Sequence, residues 1–206
     1  MNVGIYIIGI GPGSEEYVLP KAVDIMKKSD VILGFHRAID SLHFLCGKKI
    51  IVRRLSEIID YINEYKDKTV SIAASGDPLF YGITNYIKNN YDGEIHVIPG
   101  ISSFQYMMAK LCMSWQGSFL GSLHGREDEF LEAVEKNKIS IWLTDARHSP
   151  GYIIDKLNRG NINAKMCIGE NLSYEDEKIT EVYIKGLNGI SCSDLCVVVI
   201  ENLDLD

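Results

Sequence analysis

The chain has 206 residues, 46% hydrophobic and 24% charged, with a formal net charge of −7. That is ordinary globular usage, which excludes a disordered chain, and the acidic balance excludes a nucleic-acid binder that relies on a basic face. No apolar run approaches the roughly 18 residues of a spanning helix, and the start MNVGIYIIGIGPGS has no basic n-region, so no membrane is expected and the cytoplasm is the expected place.

In chain order, strands are expected at 3–8, 30–33, 49–52, 69–74 and 94–98, alternating with helices at 21–28, 56–65, 82–89 and 102–111. Helical spacing is clearest where Ile58, Ile59, Ile62 and Tyr65 share one face. This rhythm predicts an α/β fold with a parallel sheet covered on both faces. It falters at 112–118, and a domain boundary is placed near residue 114, giving halves 1–113 and 114–206. The second half reads as strands at 119–123, 139–143, 164–168, 179–184 and 195–200, with helices at 128–136 and 151–158. Its last two strands have no helix between them, so its sheet is expected to be mixed. Phe104, Met107, Met108 and Leu111 form an apolar helix face that reads as core before interface.

Three glycine-bearing loops follow the first, fourth and fifth strands of the first half. Gly9-Ile10-Gly11-Pro12-Gly13 lacks the third glycine of a dinucleotide loop, because Ser14 stands there. The second strand ends at Leu33-Gly34 without an acid, and Pro12 has no N–H to offer a phosphate. Gly76-Asp77-Pro78-Leu79-Phe80-Tyr81-Gly82 is the second loop; Asp77 either caps the next helix or accepts hydrogen bonds from a ligand. Pro99-Gly100-Ile101-Ser102-Ser103 is the third, and Ser102 or Ser103 suits an N-cap. In a parallel sheet these loops should converge on one crevice. Their hydroxyl, carboxylate and backbone groups suit a neutral or cationic small molecule better than a nucleoside triphosphate.

As an ordered set the three segments resemble the tetrapyrrole methylase family, S-adenosylmethionine-dependent enzymes of class III. The resemblance extends through Ser122-Leu123-His124-Gly125-Arg126, Leu143-Thr144-Asp145 and Gly169-Glu170-Asn171-Leu172-Ser173, which are similar to the branch that methylates ring carbon 5 of cobalt-precorrin-7 in cobalamin synthesis. It implies two α/β halves with a ligand cleft between them. It also implies S-adenosylmethionine as cofactor, a tetrapyrrole substrate, a homodimer, and a separate decarboxylating methyltransferase as partner. Carried over, Pro12, Gly76, Asp77, Phe80, Ser102, Ser103, Thr144 and Gly169 would hold the cofactor. Ser14 and Tyr17-Val18-Leu19 depart from the family pattern, so the first loop receives no catalytic role.

Three basic pairs stand without the resemblance: His36-Arg37, His124 with Arg126, and Arg147-His148, each directly after an expected strand. Either they are surface charge, or together they form an anion site on an acidic protein. Arginine forks suit substrate carboxylates, so Arg37 and Arg126, with His36, are candidate substrate contacts, and Glu170 is a candidate for orienting the substrate or acting as a general base. His124 and Asp145 are candidates for moving a proton after transfer. Helix capping for Asp145 and a turn for Glu170 remain the plain alternatives. Five scattered cysteines, with Cys192 and Cys196 a lone C-x-x-x-C, show no metal-ligand spacing, so no metal site is expected. Two rivals remain: a class III methylase for another substrate, and a non-catalytic binding module.

Overall fold

The computed structural model describes residues 3–123, 129–187, 190–193 and 196–205 of the chain. Two compact units divide between Ser102 and Ser103. The first carries strands β1 (Gly4–Gly9), β2 (Val31–Gly34), β3 (Lys49–Ile51), β4 (Thr69–Ala74) and β5 (Ile95–Ile98). They form one sheet in the order β3-β2-β4-β1-β5, every neighbouring pair parallel. The helices are α1 (Pro20–Lys27), α2 (His36–Asp40), α3 (Leu55–Glu64) and α4 (Thr84–Asn90).

Side chains alternate between the two faces of a strand, and here both faces are covered. Ile8, Ile10, Ala22, Ile25, Met26 and Ile32 make one buried cluster, and Ile5, Ile7, Leu33, Ile58, Ile62 and Ile72 the other. The apolar runs of β1 and β4 follow from burial on both sides. α1 starts on Pro20, whose missing N–H costs nothing at the first helical position. The short helix α2 and a 3-10 turn at Glu15–Tyr17, capped by Ser14, were not expected from the sequence. The helix expected from residue 82 begins at Thr84.

The second unit holds α5 (Ser103–Lys110), β6 (Phe119–Ser122), α6 (Phe130–Lys136), β7 (Ile139–Leu143), α7 (Pro150–Arg159), β8 (Ala164–Glu170), β9 (Lys178–Tyr183) and β10 (Cys196–Asn202). Its sheet runs β6-β7-β10-β8-β9, parallel between β6 and β7 and antiparallel elsewhere, as expected of a mixed sheet. The sequence placed the boundary near residue 114, whereas the chain divides before α5. The reason is packing: α5 lies on β7 and β10, with Phe104, Met107 and Met108 buried. That face is core, as read.

Candidate active site

The three glycine loops meet at the C-terminal ends of the adjacent strands β4, β1 and β5. Gly11 and Gly76 form an antiparallel bridge, with the Gly76 amide donating to the Gly11 carbonyl at 2.8 Å and the Gly11 amide to the Gly76 carbonyl at 3.3 Å. Gly11 has φ +77° and Gly76 φ +67°, a region that costs glycine nothing. A Cβ on Gly9 would lie 2.5 Å from the Gly100 nitrogen and 2.7 Å from the Gly76 carbonyl oxygen. These glycines therefore let three backbones touch.

Asp77 joins two of those loops. Its Oδ1 accepts the Leu79 amide at 2.8 Å and its Oδ2 the Gly100 amide at 3.2 Å. It does not cap α4, which has no side-chain cap. The turn beyond it is closed by Thr84, whose Oγ1 donates to the buried Pro78 carbonyl at 2.7 Å. Phe80 packs edge-on against Tyr81, ring centroids 5.0 Å apart. Tyr81 has φ 50°, the left-handed region where a bulky side chain is strained. Its place in front of Gly82 is the only trace of this strain in the sequence. Pro12 is partly exposed beside the Gly11 bridge, and Ser102 is buried at the end of the third loop.

In the second unit, β7 and β8 end where β10 begins, and this gathers another set of candidates. Cys196 stands opposite Glu170 and adjoins Thr144. The Thr144 hydroxyl donates to the Cys196 carbonyl at 3.0 Å and accepts its amide at 2.8 Å, both buried. Glu170 is the last residue of β8 rather than part of a turn. Its Oε1 accepts the Ser193 amide at 2.7 Å, and its Oε2 lies 3.6 Å from Lys178 Nζ. Gly169 admits Met107 and Leu172, since a Cβ there would lie 2.7 Å from Met107 Sδ. Ser103 opens α5.

Asp145 does not cap α7, where Ser149 serves. Its Oδ1 instead accepts the Arg147 and His148 amides at 3.0 and 2.7 Å, and lies 3.2 Å from His148 Nδ1. His148 is buried and meets Tyr152 edge-on, so the Arg147-His148 pair does not present two groups to an anion. His36 pairs with Asp40 at 2.6 Å, and Arg37 is exposed on α2. His124 and Arg126 lie outside the described residues. Burial pushes the Cys196 thiol up to about 12 and the Cys167 thiol up to about 11, so both are packing groups.

The model of the tetrapyrrole (corrin/porphyrin) methylases matches residues 4–188. The chain belongs to the tetrapyrrole methylase family. It is 33% identical to the "Probable cobalt-precorrin-7 C(5)-methyltransferase" of Methanocaldococcus jannaschii, over 96% of this chain and 97% of the relative. It is 31% identical to the cobalt-precorrin-7 C(5)-methyltransferase of Salmonella typhimurium, over 88% and 92%. Among solved structures, the fold matches a precorrin-6Y methylase of Archaeoglobus fulgidus with a TM-score of 0.77, at 24% identity over 97% and 98% of the two chains. It also matches a uroporphyrin-III C-methyl transferase of Thermus thermophilus complexed with S-adenosylhomocysteine, TM-score 0.79, at 17% identity over 96% and 92%.

In this tetrapyrrole methylase a further cluster escaped the sequence reading. Lys110 on α5 pairs with Glu177 at 2.9 Å, and the Glu177 Oε2 accepts the Ser173 amide at 2.7 Å. Burial pushes the Tyr106 hydroxyl up to about 12, and its hydrogen bond to Glu177 adds to this. Burial raises Glu177, but Lys110, Tyr106 and the Ser173 amide outweigh it and hold the carboxyl below its ordinary value. Tyr106 and Lys110 lie four apart on one helix, which was the available signal.

Proposed function

We propose that this family member is an S-adenosylmethionine-dependent C-methyltransferase of cobalamin biosynthesis, methylating carbon 5 of cobalt-precorrin-7. The observation that carries the reading is the end-to-end similarity to two proteins of that name, at 33% and 31% identity. The donor set fits the cofactor. The three loops bring together one carboxylate, hydroxyls and backbone groups, with no Lys, Arg or His, which suits a sulfonium cation. The Thermus relative with bound S-adenosylhomocysteine supports the same choice of cofactor.

When bound, the cofactor supplies an electrophilic methyl group on a good leaving group. The nucleophile is a ring carbon of the substrate, so no Cys or Ser of the chain needs to attack. The protein's contribution is alignment, and a rigid junction of three loops is suited to it. Pro12, Gly76, Asp77, Phe80, Ser102, Ser103, Thr144 and Gly169 are assigned to the cofactor. Arg37, Arg126 and His36 are assigned to the acid side chains of the substrate, Glu170 to orienting it, and His124 or Asp145 to the departing proton. A homodimer in the cytoplasm, working beside a separate decarboxylating methyltransferase, accompanies this reading. No helix among the described residues is long and apolar enough to cross a membrane.

The test is incubation with cobalt-precorrin-7 and S-adenosylmethionine, followed by mass spectrometry and NMR of the corrinoid. One added methyl at carbon 5, with stoichiometric S-adenosylhomocysteine, is the expected result. A folded protein that binds S-adenosylhomocysteine yet methylates no tetrapyrrole overturns the reading in favour of a binding module.

A further inference from the structure

Strands β3 and β2, on one side of the first sheet, carry a second set of groups at the end that bears the glycine loops. Gly34 stands opposite Ile51 in the parallel pair β2–β3, and the Val52 amide donates to the Gly34 carbonyl at 2.9 Å. The chain leaves β2 through Phe35, His36 and Arg37, and β3 through Val52, Arg53 and Arg54. Because all five strands are parallel, these exits lie at the same end as the loops after β1, β4 and β5. Phe35, Ile51 and Leu55 are 39%, 45% and 37% exposed there. Arg37, Arg53 and Arg54 are exposed beside them.

The chain has six arginines against fifteen lysines, and three of the six stand at this end. Arg54 is the N-cap residue of α3 and Arg53 precedes it. A helix N-terminus disfavours cations, so the two arginines are placed against their own helix. Glu57 answers them in part: its Oε2 accepts the Arg53 amide at 2.9 Å and its Oε1 lies 3.5 Å from Arg54 Nε. Asp40, the acid of α2, is paired with His36. The result is a sheet end at which exposed apolar side chains and guanidinium forks occur together. A flat apolar ring with carboxylates on its rim is the complementary ligand.

We propose that Arg53 and Arg54, at the sheet end where Phe35, Ile51 and Leu55 are exposed, bind the acid side chains of the tetrapyrrole on the side of the ring away from the reacting carbon. The inference rests on the function proposed above and adds specificity-determining residues to it. Two strand spacings, about 10 Å, separate β4 from β3. A macrocycle reaching from the glycine loops across β2 covers that distance.

The experiment is equilibrium titration with three probes: cobyrinic acid, a corrin with free carboxylates; cobinamide, whose side chains are amides; and S-adenosylhomocysteine. The native protein is expected to prefer the acid, and increasingly so at low salt. The double variant Arg53→Ala, Arg54→Ala is expected to bind the acid about tenfold more weakly and S-adenosylhomocysteine unchanged, which also verifies its fold. The double lysine variant restores part of the loss, since charge remains and the forks do not. Unchanged affinity of the alanine variant for the acid, or equal native affinity for acid and amide, overturns the role of this end and leaves the methyltransferase reading standing. Native protein that binds S-adenosylhomocysteine but neither corrinoid overturns that reading, and the role of this end with it.

Discussion

The carboxylate of Asp77 accepts the Gly100 amide at 3.2 Å, tying the loop after β4 to the loop after β5 across β1. The other oxygen holds Leu79, so one side chain sets the shape of the second loop and its distance from the third. Asp77→Ala leaves two amides without their acceptor. The expected cost is about 1–3 kcal/mol of stability and at least about tenfold in S-adenosylhomocysteine affinity, or about 1.4 kcal/mol. Asp77→Asn, which retains one acceptor oxygen, should lose less of both. Calorimetric titration and thermal unfolding of the two variants check this.

Gly100 tolerates no side chain. A Cβ there would meet the Gly76 carbonyl oxygen and lie 2.8 Å from Gly9 Cα, and all of these atoms are backbone. Gly100→Ala should cost more than about 2 kcal/mol and abolish S-adenosylhomocysteine binding. Gly117→Ala is the control: its φ is +79° but nothing lies within 4 Å of the new Cβ. It should cost about 1–2 kcal/mol from backbone strain alone and leave binding intact.

Thr144, beside its assignment to the cofactor, also holds the start of β10 in place. Its hydroxyl closes both backbone groups of Cys196 at 2.8 and 3.0 Å in a buried place. Thr144→Val is expected to destabilise by about 1–3 kcal/mol, a melting temperature lower by about 2–4 °C per kcal/mol. Thr144→Ser should stay close to the native value. Equal melting temperatures for the valine and native proteins would contradict this structural role.

Tyr106 gives a pH signature. Its hydroxyl is raised from 10.0 to about 12, first by burial and then by its bond to Glu177. The folded protein therefore keeps this proton where the unfolded chain has lost it. Stability from this group is complete below pH 10.0 and is lost as pH rises towards about 12. Other tyrosines and lysines titrate in the same range, so the difference between the native protein and Tyr106→Phe is the quantity to measure. The native protein should lose stability more steeply over that window, by urea unfolding at each pH.

Much of the fold was legible because its cause is local. The largely apolar runs of β1 and β4, with no alternation of charged residues, announced strands buried on two faces, and Ile58 and Ile62 announced the inner face of α3. α2 escaped notice because five residues carry too little period to read. Arg53-Arg54 escaped because a pair of arginines after a short strand looks like any solvated turn until Phe35 is placed beside it. His148 looked like a surface group and is buried, since Asp145 and Tyr152 close around it.

The sequence by itself determined the alternation of strands and helices, the parallel character of the first sheet, and the three glycine loops with their order. These follow from periodicity, from φ freedom at glycine and from spacing along the chain. Tertiary structure alone decided that α5 goes with the second unit, that Gly9, Gly76 and Gly100 touch, and that Asp77 and Thr144 bind partners 23 and 52 residues away. Those choices depend on which buried amides and carbonyls remain to be satisfied once the sheets have packed, and a local pattern carries no record of that.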